Sequence, residues 1–327
     1  MVLAGRRGRR EALGVVHAEV SQPVRRPPNR TTQPAEAALT TSVPDPSQKH
    51  QRREHGLMLA LVSPALLVIL ALIVLPVGWL AWQSIYHDGF TLENYRRVFT
   101  EDVYWRSFAL TFEISLAVTL IALLLGYPVA YLANSVPKGW SILILSLVVL
   151  PFWTSVLVRA YAWLALLQRT GVINQFLRYL DVIAEPLALV HNTFGTVVAT
   201  VHILLPFMVL PLYATMQKIP NDLMQAGASL GASPSLTFMR VFLPLSLPGV
   251  LAGCTMVFVL CLGFYITPEL LGGGRTVMVS MLVSRNVELY NQFGAASAVA
   301  VVLLLSVLAI FFVVSRFISL DRVLGQK

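Results

Sequence analysis

The chain has 327 residues, of which 56% are hydrophobic and only 12% charged. A soluble domain carries about 25% charged residues, so most of this chain's surface is excluded from water, as its mean hydropathy of +0.71 also indicates. The net charge of +8 is concentrated at one end, with ten of the 24 basic residues before residue 57, which argues against a nucleic-acid surface. The only cysteines, Cys254 and Cys261, lie in one apolar run and exclude a disulfide scaffold or a cysteine zinc site.

Residues 1–56 hold Arg6, Arg7, Arg9, Arg10, Arg25, Arg26, Arg30, Lys49, Arg52 and Arg53 among Pro, Ser, Thr and Gln, without apolar periodicity. Such a segment buries too little to offset its ordering entropy and reads as a disordered basic tail. It reads as a solvated tail, as a lipid-binding or regulatory one, or as sequence before a start at Met58. It lacks the early apolar stretch of a secretory signal.

Long apolar runs follow. A membrane span needs about 20 mostly apolar residues. Six runs qualify: 57–86, 108–134, 141–168, 192–217, 247–271 and 291–315. They are too long for barrel strands, and in lipid a helix satisfies its own backbone, so an all-α polytopic membrane protein is expected. With both termini cytoplasmic, the inner segments carry 16 basic residues and the outer loops 7, the sense of the positive-inside bias. Trp79, Trp82, Trp105 and Trp140 fall near span ends, where indole rings prefer to sit.

Between the fourth and fifth spans lies a more polar segment, 218–246. Asn221 can cap a helix with Asp222 in its first turn. Leu223, Ala226, Gly227 and Leu230 fall at helical spacing on one face. Gly231 suits a left-handed C-terminal residue. Ser233 then caps again, with Pro234 at the first helical position. The expected result is a helix–turn–helix elbow whose small residues, Ala226 and Gly227, let another surface approach closely. The alternative is an interfacial helix that merely leads into the fifth span.

Gln225-Ala226-Gly227, three residues, Gly231, then Leu243-Pro244 resembles the Glu-Ala-Ala loop of permease subunits of ATP-binding-cassette importers. Gln replaces Glu and Gly replaces the second Ala. Leu150-Pro151-Phe152-Trp153-Thr154-Ser155, Arg159-Ala160-Tyr161-Ala162-Trp163, Gly171-Val172-Ile173-Asn174 and Thr267-Pro268-Glu269-Leu270-Leu271-Gly272-Gly273 are similar to segments of spermidine/putrescine-type permeases. The resemblance implies the type I importer permease fold, with Gln225, Ala226, Gly227, Leu230, Gly231 and Pro244 forming a cytoplasmic coupling helix against an ATPase. It implies a pair of ATP-binding subunits, a second homologous permease subunit and a periplasmic or lipid-anchored solute-binding protein, in a bacterial cytoplasmic membrane. The cargo it implies is a polyamine, with opines, aminophosphonates and other small solutes carried by relatives with the same signatures.

The chain has no G-x-x-x-x-G-K-[ST] phosphate cradle, no H-E-x-x-H metal motif and no Ser/His/Asp set. Such a chain is driven by a partner, driven by an ion gradient, or passive; the resemblance implies the first, a transport subunit without catalytic residues, metal or cofactor that is driven by a partner's ATP hydrolysis. Ionisable residues inside spans are functional candidates by default. Here they are Glu113, Arg159 and Glu269. Glu113 or Glu269 could meet a cationic solute, with Tyr161, Trp163 or Tyr265 stacking on its amines. Alternatively, Arg159 bridges one of the carboxylates or reaches toward the interface. His191 and His202 read more simply as hydrogen-bonded residues than as a proton relay.

Overall fold

The computed structural model describes the backbone of residues 46–86 and 89–317, and side chains within 62–86 and 89–312. Residues 1–45, most of the basic tail, and 318–327 lie outside the described residues. Two compact units divide at residue 67, and the packing below belongs to the second.

Thirteen helices are described. They are α1 (Pro46–Ile85), α2 (Glu93–Thr100), α3 (Asp102–Ser135), α4 (Lys138–Val149), α5 (Val156–Leu167), α6 (Val172–Tyr179), α7 (Thr193–Met216), α8 (Asn221–Ser229), α9 (Pro234–Thr237), α10 (Leu243–Leu262), α11 (Ile266–Leu271), α12 (Val279–Glu288) and α13 (Phe293–Phe317). Among the described residues, six segments are long and apolar enough to cross a membrane: Val62–Ile85, Asp102–Ser135, Val156–Tyr179, Thr193–Met216, Pro234–Leu262 and Phe293–Phe312. Helix α1 already starts at Pro46, inside the stretch expected to be disordered. Proline suits a first turn, and the Gln, Lys, Arg and Glu that follow propagate helix well once an apolar span continues it.

The core is built where α3, α7 and α10 pack together. Their contact faces are notched by glycine. A Cβ on Gly126 of α3 would lie 2.9 Å from Met208 Cγ, and one on Gly253 of α10 would lie 2.7 Å from Met208 Sδ. Met208 of α7 is fully buried between them. Small residues that let backbones approach are how membrane helices gain packing, since lipid already satisfies apolar side chains. Tyr127 of α3 and Ser246 of α10 share a hydrogen bond of 2.9 Å, and Ser141 of α4 and Tyr213 of α7 share one of 2.8 Å.

The run expected as one span over 141–168 is two helices. Helix α4 ends in a 3₁₀ turn, Leu150–Trp153, then Thr154 and Ser155 are extended and α5 begins. Pro151 lacks an N–H and its ring obstructs the preceding turn, which ends a helix. Each half has 12 residues, about 18 Å at 1.5 Å per residue. Neither half alone spans a hydrocarbon layer about 30 Å thick, and the segment long enough to cross begins at Val156, after the break. The span continues through Gly171 into α6. A Cβ on Gly171 would strike Leu166 O at 2.5 Å. Buried Asn174 donates to Gln168 O and Leu187 O and accepts from Leu187 N, tying the 180–192 loop to α6.

Candidate functional site

Two regions carry the residues singled out above, at opposite ends of the bundle. At one end α8 and α9 form the elbow. Pro220, not Asn221, occupies the cap position of α8, and no side chain caps it. Asn221 is the first helical residue, because Pro220's fixed φ places the turn one residue earlier. Gly231 has φ +79°, the left-handed geometry expected after a helix end. The chain closes there with Leu230 N donating to Ala226 O and Ala232 N to Gly227 O. Ser233 Oγ accepts from Leu236 N at 3.4 Å, with Pro234 opening α9.

The elbow's inner limb is braced on α3. Phe238 and Phe242 meet Tyr131 edge to face at 5.3 and 5.2 Å between ring centroids, and Phe238 meets Tyr127 at 6.3 Å. They lie on a five-residue π-type turn, Phe238–Phe242, that leads directly into α10. Pro244 follows in the first turn of α10, just after the π-type turn, in a helical segment continuous from Pro234 to Leu262.

The sequence placed Ala226 and Gly227 together on an outward face. Instead Gly227 turns inward. A Cβ there would lie 2.8 Å from Thr237 Cγ2, so its smallness serves the joint between α8 and α9. Leu223, Gln225 and Ala226 are exposed, and Leu230 is 87% exposed. An i, i+3, i+7 stripe of Leu223, Ala226 and Leu230 is therefore presented outward on a rigid elbow.

The second region is the seam of α5, α7 and α11. Ala160, Leu167, Ala199 and Leu271 form its apolar floor. Arg159 is 7% exposed. Its Nε and Nη1 are enclosed without a hydrogen-bond partner, and it has no ion pair among the described residues. One turn on, Trp163 Nε1 donates to His202 Nδ1 of α7 at 3.1 Å, a partner that sequence spacing could not reveal. Tyr161 points to the exposed side of α5, and Tyr265 is half-buried at the start of α11. Glu269 does not bridge Arg159. It faces Arg285 of α12 at 4.0 Å. Glu113 is exposed on α3. The structure thus joins Arg159 and Trp163 around His202 but leaves the two carboxylates apart from them.

Above this seam, at the end away from the elbow, lies a polar pocket of about 600 Å³ whose lining includes Gln168, Arg169, His191, Asn192, Gly273 and Arg275. His191 sits at φ +62° and Gly273 at φ +58°. A Cβ on Gly273 would lie 2.5 Å from His191 Cβ, so the two loops interlock. Asn192 N donates to Leu271 O across the same joint. Neither arginine has an ion pair among the described residues, which leaves both charges facing the opening.

A multi-pass bundle with a short elbow between its fourth and fifth spans defines a membrane permease of the importer type. Residues 122–320 match the family described as binding-protein-dependent transport system inner membrane component, and the chain belongs to that family. It is 34% identical over 235 residues to the spermidine/putrescine transport system permease protein PotB of Salmonella typhimurium (strain SL1344), covering 70% of this chain and 81% of that one. The PotB protein of Haemophilus influenzae is 33% identical over 261 residues, covering 78% and 89%. Among solved structures, a bacterial ABC transporter involved in the import of the acidic polysaccharide alginate matches with a TM-score of 0.62 at 20% identity, covering 84% of this chain and 99% of that one. The chain is a transport subunit with the importer permease fold, in the cytoplasmic membrane.

Proposed function

We propose that this chain is the permease subunit that passes a polyamine of the spermidine/putrescine class across the membrane, driven by ATP hydrolysis in partner subunits docked on the elbow. One observation carries the coupling role. Leu223, Ala226 and Leu230 form an exposed apolar stripe, on an elbow locked from behind by Gly227 against Thr237. A lone exposed leucine is ordinary on a soluble surface, but a rigid exposed stripe joined to the fourth and fifth spans is suited to transmit movement. The elbow end is then cytoplasmic, as are both termini, in keeping with the basic residue count. The relatives named for spermidine and putrescine support the cargo.

On the opposite face, Arg169 and Arg275 around the polar pocket offer charge to an acidic rim on a solute-binding protein. A second permease subunit would complete the path, and two nearly isoenergetic states would let ATP binding switch its opening. Glu113 and Glu269 are the acidic groups that would meet an ammonium along it.

Co-purification of the ATPase subunit with wild type and with Leu230→Asp tests the coupling role. Loss with Leu230→Asp, at unchanged thermal stability, supports it. Retention at wild-type stoichiometry contradicts it.

A further inference from the structure

The polar pocket at the end away from the elbow gathers positive charge from two distant stretches of sequence. Arg169, just after α5, and Arg275, just after α11, line one hollow of about 600 Å³ with His191 and Gln168. That volume is in the range of small-molecule sites. No carboxylate stands among its described lining residues, and neither arginine has an ion pair among the described residues. Arginines scattered over an open surface are simply solvated. Two that converge on one concavity repel each other, and a cleft lined by one sign of charge concentrates counter-ions.

The hollow has a fixed backbone. His191 has φ +62°, and Gly273 and Gly274 have φ +58° and +77°. A left-handed histidine costs energy and persists only where its surroundings impose it. Here Gly273 closes under it, so tightly that a Cβ on the glycine would lie 2.5 Å from His191 Cβ. Asn192 braces the same turn, donating to Ala188 O at 2.6 Å and accepting from Gly195 N at 2.9 Å. The N–H groups of Gly273 and Gly274 donate to no backbone carbonyl among the described residues, which places backbone donors beside the two guanidiniums.

The lining is therefore rich in donors. A guanidinium fork pairs with two oxygens of a phosphate, and two forks are served better by the several oxygens of a phosphate than by the two of a carboxylate. The hollow is larger than a bare phosphate fills, which leaves room for the substituent of a phosphodiester. His191 and Asn192 immediately precede α7, a segment long enough to cross a membrane. The pocket thus lies at a membrane surface, within reach of lipid phosphates and of dissolved phosphate.

We propose that this pocket is a binding site for a phosphate-class anion held between Arg169 and Arg275, supplied by the headgroup of an anionic phospholipid or as free phosphate. The site is a property of this chain and goes beyond the importer reading. A regulatory consequence rests on that reading: the bound anion takes up the charges that would face a solute-binding protein, so occupancy lowers that protein's affinity.

The test uses the membrane complex with its ATPase pair and second permease in nanodiscs. One arm measures equilibrium binding of radiolabelled inorganic phosphate in phosphatidylcholine discs at constant ionic strength. The other measures, by mass spectrometry, the phosphatidylglycerol retained after extraction from mixed phosphatidylcholine and phosphatidylglycerol discs. Wild type should show saturable binding in at least one arm, and the arm that responds identifies the source. Arg169→Gln with Arg275→Gln should weaken that binding about tenfold or more, and Arg275→Lys, which keeps the charge and loses the fork, should fall between. Arg178→Gln, which removes an exposed positive charge outside the lining, should change neither arm. Melting temperatures equal to wild type show that the variants are folded.

No saturable binding in either arm overturns the proposal, as does a double variant that binds like wild type. So does an equal loss with Arg178→Gln, which would reduce the effect to general surface charge. An anion that fills the pocket yet leaves the affinity of the solute-binding protein unchanged strikes the docking reading instead and leaves the site standing.

Discussion

Gly227 lies against Thr237, so close that a Cβ on the glycine would fall 2.8 Å from Thr237 Cγ2 and 3.0 Å from its Oγ1. Thr237 is itself buried and donates to Ser233 O at 3.1 Å. The two limbs of the elbow are thus one joint rather than two independent short helices. A helix of nine residues such as α8 is marginal alone, and this joint gives it a fixed direction.

Gly227→Ala should therefore disturb the elbow, with an overpacking cost of about 1–3 kcal/mol. Thr237→Ala removes both close atoms and leaves Thr237 Cβ at 3.5 Å, an ordinary contact. The double variant should recover more ATPase-subunit association than Gly227→Ala alone, less about 1 kcal/mol for the lost Thr237 hydrogen bond. Additive losses in a double-mutant cycle would show that the two residues do not form a joint.

Asn174 should be structural. Asn174→Ala removes its two donated bonds and the one it accepts from Leu187 N, each contributing about 0.5–1.5 kcal/mol. A drop of several degrees in melting temperature is expected, with faster proteolysis of the 180–192 loop. An unchanged melting curve would mean water replaces the amide.

Arg169→Glu and Arg275→Glu should weaken binding of the solute-binding protein, and more so together. The wild-type affinity should fall with added salt, and the double variant should lose much of that dependence. A salt-independent affinity would place docking elsewhere.

Glu113→Gln should lower spermidine uptake without changing stability, since Glu113 is exposed on α3 and has no ion pair among the described residues. Glu269→Gln should do both, because it also frees Arg285, though an exposed pair contributes only about 0–1 kcal/mol. Unchanged uptake in Glu113→Gln discards it from the path.

The six spans were legible because membrane helices announce themselves by length and lack of charge. The family signatures were legible too, and the structure supplies their physics. Gly171 clears Leu166 O, Asn174 ties down a loop, and Gly273 fits under His191. Helical spacing put Gly227 on a face with Ala226 but could not say which direction that face turned, since small residues suit an internal joint as well as an external dock. The break in the third span was hidden by hydropathy, which sees composition and not the missing N–H of Pro151. The Trp163–His202 pair joins residues 39 apart, beyond any local pattern.

The most direct test of the central claim is spermidine uptake into proteoliposomes holding this chain with its partner subunits and solute-binding protein. The account predicts uptake that requires ATP, persists when ion gradients are collapsed, and falls at least tenfold with Leu230→Asp. Uptake that proceeds without ATP and stops when the gradients are collapsed would contradict it.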